Sequence, residues 1–382
     1  MTTNKRAADR TPRTFTTPAA ATRPGGLAAS VQLRAASPDA VLAIVPHLLG
    51  FYPSRSLVVL GLGPRGRVIM TFRYDLPDPA DPELADDIAR HACFVLEREQ
   101  IPAAMIVGYG PADLVTPVVA QSAIRLGSAG VSVPEALRAD GGRYWSLLCV
   151  DPDCCPPAGR AYDPGSHPAA AAMSQAGLEA EPDRDALART LQRPPGSAAR
   201  ITATTSRALQ RLARLADLAD SAGERDPRLR VIRTGRREIC HAISVYRAGR
   251  SIESLDRLAW LAVLLADTAV RDDAWARMHP ARHDAHVRLW TDVVRAAALD
   301  YVPAPASLLA FTAWQSGNGA LAAMAVDRAL GADPSYSMAR LLSEAIAAAL
   351  PPSAARLSLS PAAVSASYRP PVSRPARAPR PR

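Results

Sequence analysis

The chain has 382 residues, 21% of them charged, and a mean hydropathy near zero. That is enough chain for about two domains with a substantial core, and it is the composition of a soluble globular protein. The net charge of +9 sits at the ends: the first 36 residues carry +5 and those from 352 on carry +6, so the part between sums to −2. The body is near-neutral, so the basicity, and any contact with nucleic acid that rests on it, belongs to the two ends.

Only Lys5 is a lysine among the 45 basic residues. With so much Ala and Pro alongside, this reads as a GC-rich coding bias rather than selection for phosphate-binding arginines. The cysteines are Cys93, Cys149, Cys154, Cys155 and Cys240, an odd set without a disulfide framework. The start, MTTNKRAADRTPRTFTT, has no apolar core of a secretory signal. The longest apolar run, Leu258–Ala266, is too short to span a bilayer. A cytoplasmic protein with no membrane partner is the expectation.

Residues 1–30 read as a disordered basic tail. An α/β domain is expected over 31–165. Leu57–Leu60 is a short apolar strand, and Val68–Tyr74 alternates, with Val68, Met70, Phe72 and Tyr74 on one face and Ile69, Thr71 and Arg73 on the other. Asp78-Pro79 and Asp81-Pro82 open a helix that runs to about Glu99, followed by a strand at Ala103–Val107, the turn Gly108-Tyr109-Gly110, and a helix starting at Pro111. A hairpin is expected from Val131–Leu137 and Tyr144–Val150 around Asp140-Gly141-Gly142. Over 166–352 Gly and Pro punctuate spans one helix long, the cadence of an all-α domain. Residues 353–382 read as a disordered Pro/Arg-rich tail.

The segment 305–342 carries the clearest helical spacing. Leu309, Ala310, Ala313 and Trp314 recur at helical intervals, and after Gly317 so do Ala322, Ala325, Ala329 and Leu330, before Pro334 ends the run. The spacing is that of one tetratricopeptide-like hairpin, which must stack on neighbouring helices because a lone unit cannot bury its face. Trp314, Gln315 and Asn318 at its bend are contact candidates.

Several motifs have a plain structural reading beside a chemical one. Gly61-Leu62-Gly63-Pro64-Arg65-Gly66 spells a dinucleotide fingerprint, but a strand follows it where a phosphate-binding helix is required, so a hairpin turn is expected. Gly108 and Gly110 precede a helix start, where an anion can sit, yet a tight turn between strand and helix is the expected reading. Trp145, Asp151, Cys154 and Cys155 lie in one odd stretch. The vicinal cysteines are the weak metal candidates, set against a structural turn with buried thiols, because adjacent residues seldom point at one metal. His279, His283 and His286 could share a helix face, though Pro280 spoils it and a solvated polar face is expected. His47 stands in an apolar setting, as a core histidine or, more remotely, a general base.

Taken together, Pro46-His47-Leu48-Leu49-Gly50-Phe51-Tyr52-Pro53 with Ser56-Leu57-Val58-Val59, the Trp145…Cys154-Cys155-Pro156 stretch, Tyr246-Arg247-Ala248-Gly249, Leu289-Trp290 and Ala313-Trp314-Gln315-Ser316-Gly317-Asn318-Gly319-Ala320-Leu321-Ala322 are similar to an actinobacterial family known as domain of unknown function 4192. The resemblance covers most of 31–352 and brings no activity, cofactor or catalytic residue with it. The expected architecture is an α/β domain with a small mixed sheet, followed by an all-α domain with the tetratricopeptide-like hairpin. The expected role is a protein-binding or scaffold module whose helical half contacts another protein. The rivals are an enzyme or nucleotide-binding protein with a site near 108–110 and 145–155, and nucleic-acid association through the tails.

Overall fold

The alternation read from Val68–Tyr74 builds the second strand from one edge of a seven-stranded mixed sheet. Its strands are β1 (Ala19–Thr22), β2 (Ser56–Leu62), β3 (Val68–Asp75), β4 (Ala103–Tyr109), β5 (Ala136–Asp140), β6 (Arg143–Ser146) and β7 (Arg160–Ala161), in the order β1-β3-β2-β4-β5-β6-β7. Only β4 and β5 run parallel; every other neighbouring pair is antiparallel. The computed structural model describes residues 19–22, 37–76, 81–224, 226–279, 282–355 and 360–368. Most of both expected tails lies outside these residues; within them, Ala19–Thr22 is a strand and Pro361–Ser367 a helix.

The described residues form two compact units. One gathers those of Met1–Gln192 with Leu309–Ala354, the other Arg193–Leu308 with those of Ala355–Arg382. The units interleave along the chain, a different partition from the division by sequence position at 165/166.

In the first unit, α1 (Pro38–Leu49) is capped by the Ser37 side chain and ends at Gly50 in the left-handed conformation, φ 77°. The Gly-rich turn between β2 and β3 is the expected hairpin, closed by the short turn Pro64–Gly66. Helices α2 (Pro82–Arg98) and α3 (Ala112–Ser128) cover one face of the sheet. Asp81 caps α2 by accepting the N–H groups of Glu83 and Leu84, which leaves fewer orphan donors in its first turn. Leu57, Val59, Met70, Phe72 and Ile106 from the strands pack with Ile88, Val95 and Leu96 of α2 and Val115, Val118 and Val119 of α3. The predicted faces of β3 are correct, but its second face is not solvated: Thr71 and Arg73 are buried too.

The β4-α3-β5 crossover depends on Gly108. A Cβ built there would stand 2.1 Å from Val115 Cγ1 and 3.0 Å from Val119 Cγ2. Only a residue without a side chain lets α3 lie this close to β4. After α4 (Pro168–Gln175) and α5 (Arg184–Thr190), the chain leaves for the second unit and returns through the helix pair predicted at 305–342. Skipping ahead in chain order, these are α11 (Pro303–Gln315) and α12 (Gly319–Ala332), joined across Gly317 at φ 83°. As the spacing argument requires, α12 stacks on the next helix, α13 (Ser337–Ala347), and both also meet β1.

The second unit is helical: α6 (Ala198–Ser221), α7 (Pro227–Arg247), α8 (Leu255–Leu264), α9 (Thr268–Ala276) and α10 (His283–Ala296), with α14 (Pro361–Ser367) packed on α9. Trp260 and Trp290 are among its largest buried side chains. The histidine face of α10 departs from expectation, because His283 and His286 are buried rather than solvated. They turn inward with Leu289, Trp290 and Val293, and His286 lies 6.3 Å from Trp290, ring to ring.

Gly108→Ala is expected to lower stability by about 1–3 kcal/mol, the usual cost of overpacking. Gly127→Ala, also in α3, meets nothing within 4 Å and should be neutral or stabilise by up to about 1 kcal/mol. Urea unfolding midpoints measure both. His286 gives a pH test. Burial first, then the charges of His283 and Arg247, push its pKa down to about 4, against about 6.5 in an unfolded chain. The unfolded state therefore binds more protons between those values. The stability from neutral His286 is complete above about pH 6.5 and is lost as pH falls toward about 4, a change on the order of 3 kcal/mol. His286 Nδ1 has no hydrogen-bond partner among the described residues, so His286→Leu should be tolerated and should flatten the unfolding midpoint between those two pH values.

Candidate functional site

The sequence motif at 46–53 serves the fold. His47 is buried and its Nδ1 lies 2.6 Å from the Leu178 carbonyl, which makes Nδ1 the donor and fixes the tautomer. Gly50 and Tyr52 exchange backbone hydrogen bonds with Glu181 at 2.8 and 3.0 Å. Phe51 lies under the Arg73 guanidinium, 5.2 Å away. The motif thus clamps the 178–181 segment against α1, with His47 as one of the contacts that hold it.

Arg73, Asp75, Phe51, Arg184, Asp327 and Met324 line part of a cavity of about 170 Å³. Arg73 pairs with Asp75, and Arg184 with Asp327 at 3.5 Å. Burial lowers the Arg73 pKa. Ligand pockets usually offer about 300–1,000 Å³. This smaller space suits a few waters between the buried Arg73 and the solvent-exposed Arg184–Asp327 pair.

The sheet end around β5 and β6 is different. Register places Gly108 of β4 opposite Arg138 of β5, and Arg138 opposite Trp145 of β6. The two stretches singled out in sequence, 108–110 and 145–155, are therefore brought into one row, with Arg138 as the link that sequence reading missed. The Arg138 guanidinium sits 3.5 Å from the Trp145 ring centroid and reaches the Gly110 carbonyl at 3.5 Å. The Gly110 N–H is used by the Ala139 carbonyl at 2.9 Å, so this turn offers no spare donor at Gly110 for an anion. Trp145 Nε1 donates to the Pro157 carbonyl at 3.0 Å. Gly159, at φ 73°, lies against the indole so closely that a Cβ would come within 2.5 Å of it.

These contacts tie down the loop that leaves β6. Ser146 Oγ accepts the N–H groups of Leu148 and Cys149 and donates to Glu135 at 2.7 Å. Asp151 makes a turn: its Oδ1 accepts the Asp153 N–H at 3.0 Å and its carbonyl accepts the Cys155 N–H at 2.7 Å. The loop closes on β7 through Arg160 Nε, which donates to the Cys154 carbonyl at 2.5 Å. Cys154 is exposed, while Cys149 and Cys155 are half-buried. The Cys155 thiol hydrogen bond lowers the Cys149 pKa, and the same contact helps hold Cys155 up at about 12.

Beside this loop lies an open apolar trough of about 500 Å³. Its walls are Ala123, Ile124 and Gly127 at the end of α3, residues 130–133, and Leu148. Ile124 is 71% exposed, Leu148 46%, and Val150, two residues further along the chain, 95%. No sequence period marks this surface. Its one advance signal is the apolar Leu148 and Val150 beyond the end of β6.

The bend candidates Trp314, Gln315 and Asn318 are engaged within the fold. Trp314 is buried, 6.2 Å from the Phe311 ring. Gln315 Nε2 donates to the Pro352 carbonyl at 2.9 Å, and Asn318 Oδ1 caps α12 by accepting the Leu321 N–H at 3.0 Å. They stand apart from the loop at 145–161, as does His47 in its contact with Leu178.

Fold and loop together define an α/β protein with a mixed sheet, an inserted helical unit and a cysteine-bearing loop at the sheet end. The family model of the domain of unknown function DUF4192 matches residues 38–353, and the chain belongs to that family. No curated protein and no solved structure matches the chain.

Gly159→Ala is expected to displace the Trp145 indole and change tryptophan emission. The change should vanish in a Trp145→Phe background; if it persists there, Gly159 does not act through Trp145.

Proposed function

We propose that the protein is a binding or scaffold module whose docking surface is the apolar trough formed by Ile124, residues 130–133 and Leu148, continued by Val150. One observation carries this reading: large aliphatic side chains from separate elements are exposed side by side. Leaving such a patch in water costs about 25 cal/mol per Å² relative to covering it. The trough is open along its length, so it would not enclose most of a small molecule's surface as ligand pockets do. It suits aliphatic side chains projecting from a helix or strand of another protein.

The surface differs from the helical half favoured in sequence. The trough belongs to the unit that holds the sheet. Among the described residues no helix is long and apolar enough to cross a membrane. The reading places the protein in the cytoplasm, where its cysteines would stay reduced. Association of nucleic acid with the basic ends concerns residues mostly outside those described.

Ile124→Asp with Leu148→Asp should change folding stability by no more than about 0.5 kcal/mol, as exposed positions usually do. A photo-crosslinker at Ala123 should trap one defined protein in cells, and the double substitution should abolish that adduct. Trapping of a second copy of this chain would make the surface a self-association face. An unchanged adduct in the double variant, or none in the parent, would refute the docking role.

A further inference from the structure

The three cysteines of the 149–155 loop converge. The sulfur atoms of Cys149, Cys154 and Cys155 all lie within 4.8 Å of one another. Neighbouring residues such as Cys154 and Cys155 tend to point apart, so this convergence needs a cause. The Asp151 turn supplies it. Its two hydrogen bonds, to the N–H groups of Asp153 and Cys155, reverse the chain and return the vicinal pair to Cys149. Ser146 Oγ fixes the start of the reversal at the Cys149 N–H, 3.1 Å away, and Arg160 fixes its end at the Cys154 carbonyl.

We propose that Cys149, Cys154 and Cys155 form a three-thiolate site for one thiophilic d¹⁰ cation, zinc(II) or copper(I). Metal–sulfur bonds of about 2.3 Å around one such ion place sulfur atoms about 3.8–4.0 Å apart. Side-chain rotation of well under 1.5 Å, on the order of a single χ adjustment, closes the observed spacing to that value. Thiolate sulfur selects soft ions over magnesium or calcium. The exposed side of Cys154 leaves a path for entry.

Each thiol must lose its proton to bind. One zinc(II) or copper(I) displaces up to three protons and leaves three metal–sulfur bonds, with no change of oxidation state. Copper(I) is satisfied by three sulfurs. Zinc(II) keeps a fourth position, open to water or to a donor from outside the loop. Binding therefore tightens as pH rises. The site does not depend on the docking reading, because the ion can bind with no partner present.

The full chain, reduced and free of oxygen, is titrated separately with zinc(II) and copper(I) against chromophoric chelators, and cobalt(II) serves as a spectroscopic substitute for zinc. One ion per chain is expected, with a sulfur-to-cobalt charge-transfer band. Cys149→Ser, Cys154→Ser and Cys155→Ser should each weaken binding by at least about 100-fold, more than losses of supporting contacts usually cost. Cys240→Ser should leave it unchanged. Thermal melts of the variants separate loss of a ligand from loss of the fold. Retention of either ion supports the site, and the tighter of the two reports its geometry. No retained ion, undiminished binding in Cys149→Ser with a parent-like melt, or a disulfide within the triad that forms in place of metal uptake would overturn the assignment.

Discussion

Gly108 is the constraint on which the functional end of the molecule rests. With its Cβ position already occupied by Val115, β4 and α3 can touch only through a bare backbone. That approach lets α3 cross back so that β5 joins β4 in parallel, the one parallel pair in the sheet. β5 then holds Arg138 opposite Gly108, Arg138 holds Trp145, and Trp145 holds the Pro157–Gly159 side of the loop. The end of α3 supplies Ile124 to the trough. Thus one small residue on a buried strand positions both the cysteine loop and the apolar surface beside it.

The polar groups follow a consistent division. In the interior, charges are paired or bonded locally: Arg73 with Asp75, Arg277 with the buried Asp273, and Tyr246 with Asp292 at 2.5 Å. Such pairs hold unique packing at little net gain, because desolvation offsets most of the attraction. His47 belongs with them. At the sheet end the pattern changes, since three thiols and several aliphatic side chains meet solvent within one short stretch. Residues 148–155 supply the three thiols together with Leu148 and Val150.

Much of the scaffold was legible because local physics decided it. The β3 alternation, the strand after the Gly61–Gly66 motif, and the Gly317 break between two helices each follow from spacing and turn chemistry. What escaped was set by distant packing. Arg138 looks like any strand arginine until register puts it between Gly108 and Trp145. Cys149 joins Cys154 and Cys155 only through the Asp151 turn, which closes the four-residue gap between Cys149 and Cys154. Pro280 argued against a shared face for the histidines, yet the helix starts beyond it and His283 and His286 share a face with Leu289, Trp290 and Val293. The trough joins α3 to the exit of β6, which no local pattern connects. Trp314, Gln315 and Asn318 were noticed for a sound reason, their place at a bend, and the bend itself uses them.

The central claim is that residues 146–162, with the α3 end beside them, are the responsive part of the fold. Amide hydrogen exchange of the full chain, with and without one equivalent of zinc(II), measures this directly. The account expects slower exchange over 146–162 and in the adjoining 123–133 segment, with the second unit unchanged. Protection confined to the helical unit, or none at 146–162, would contradict it.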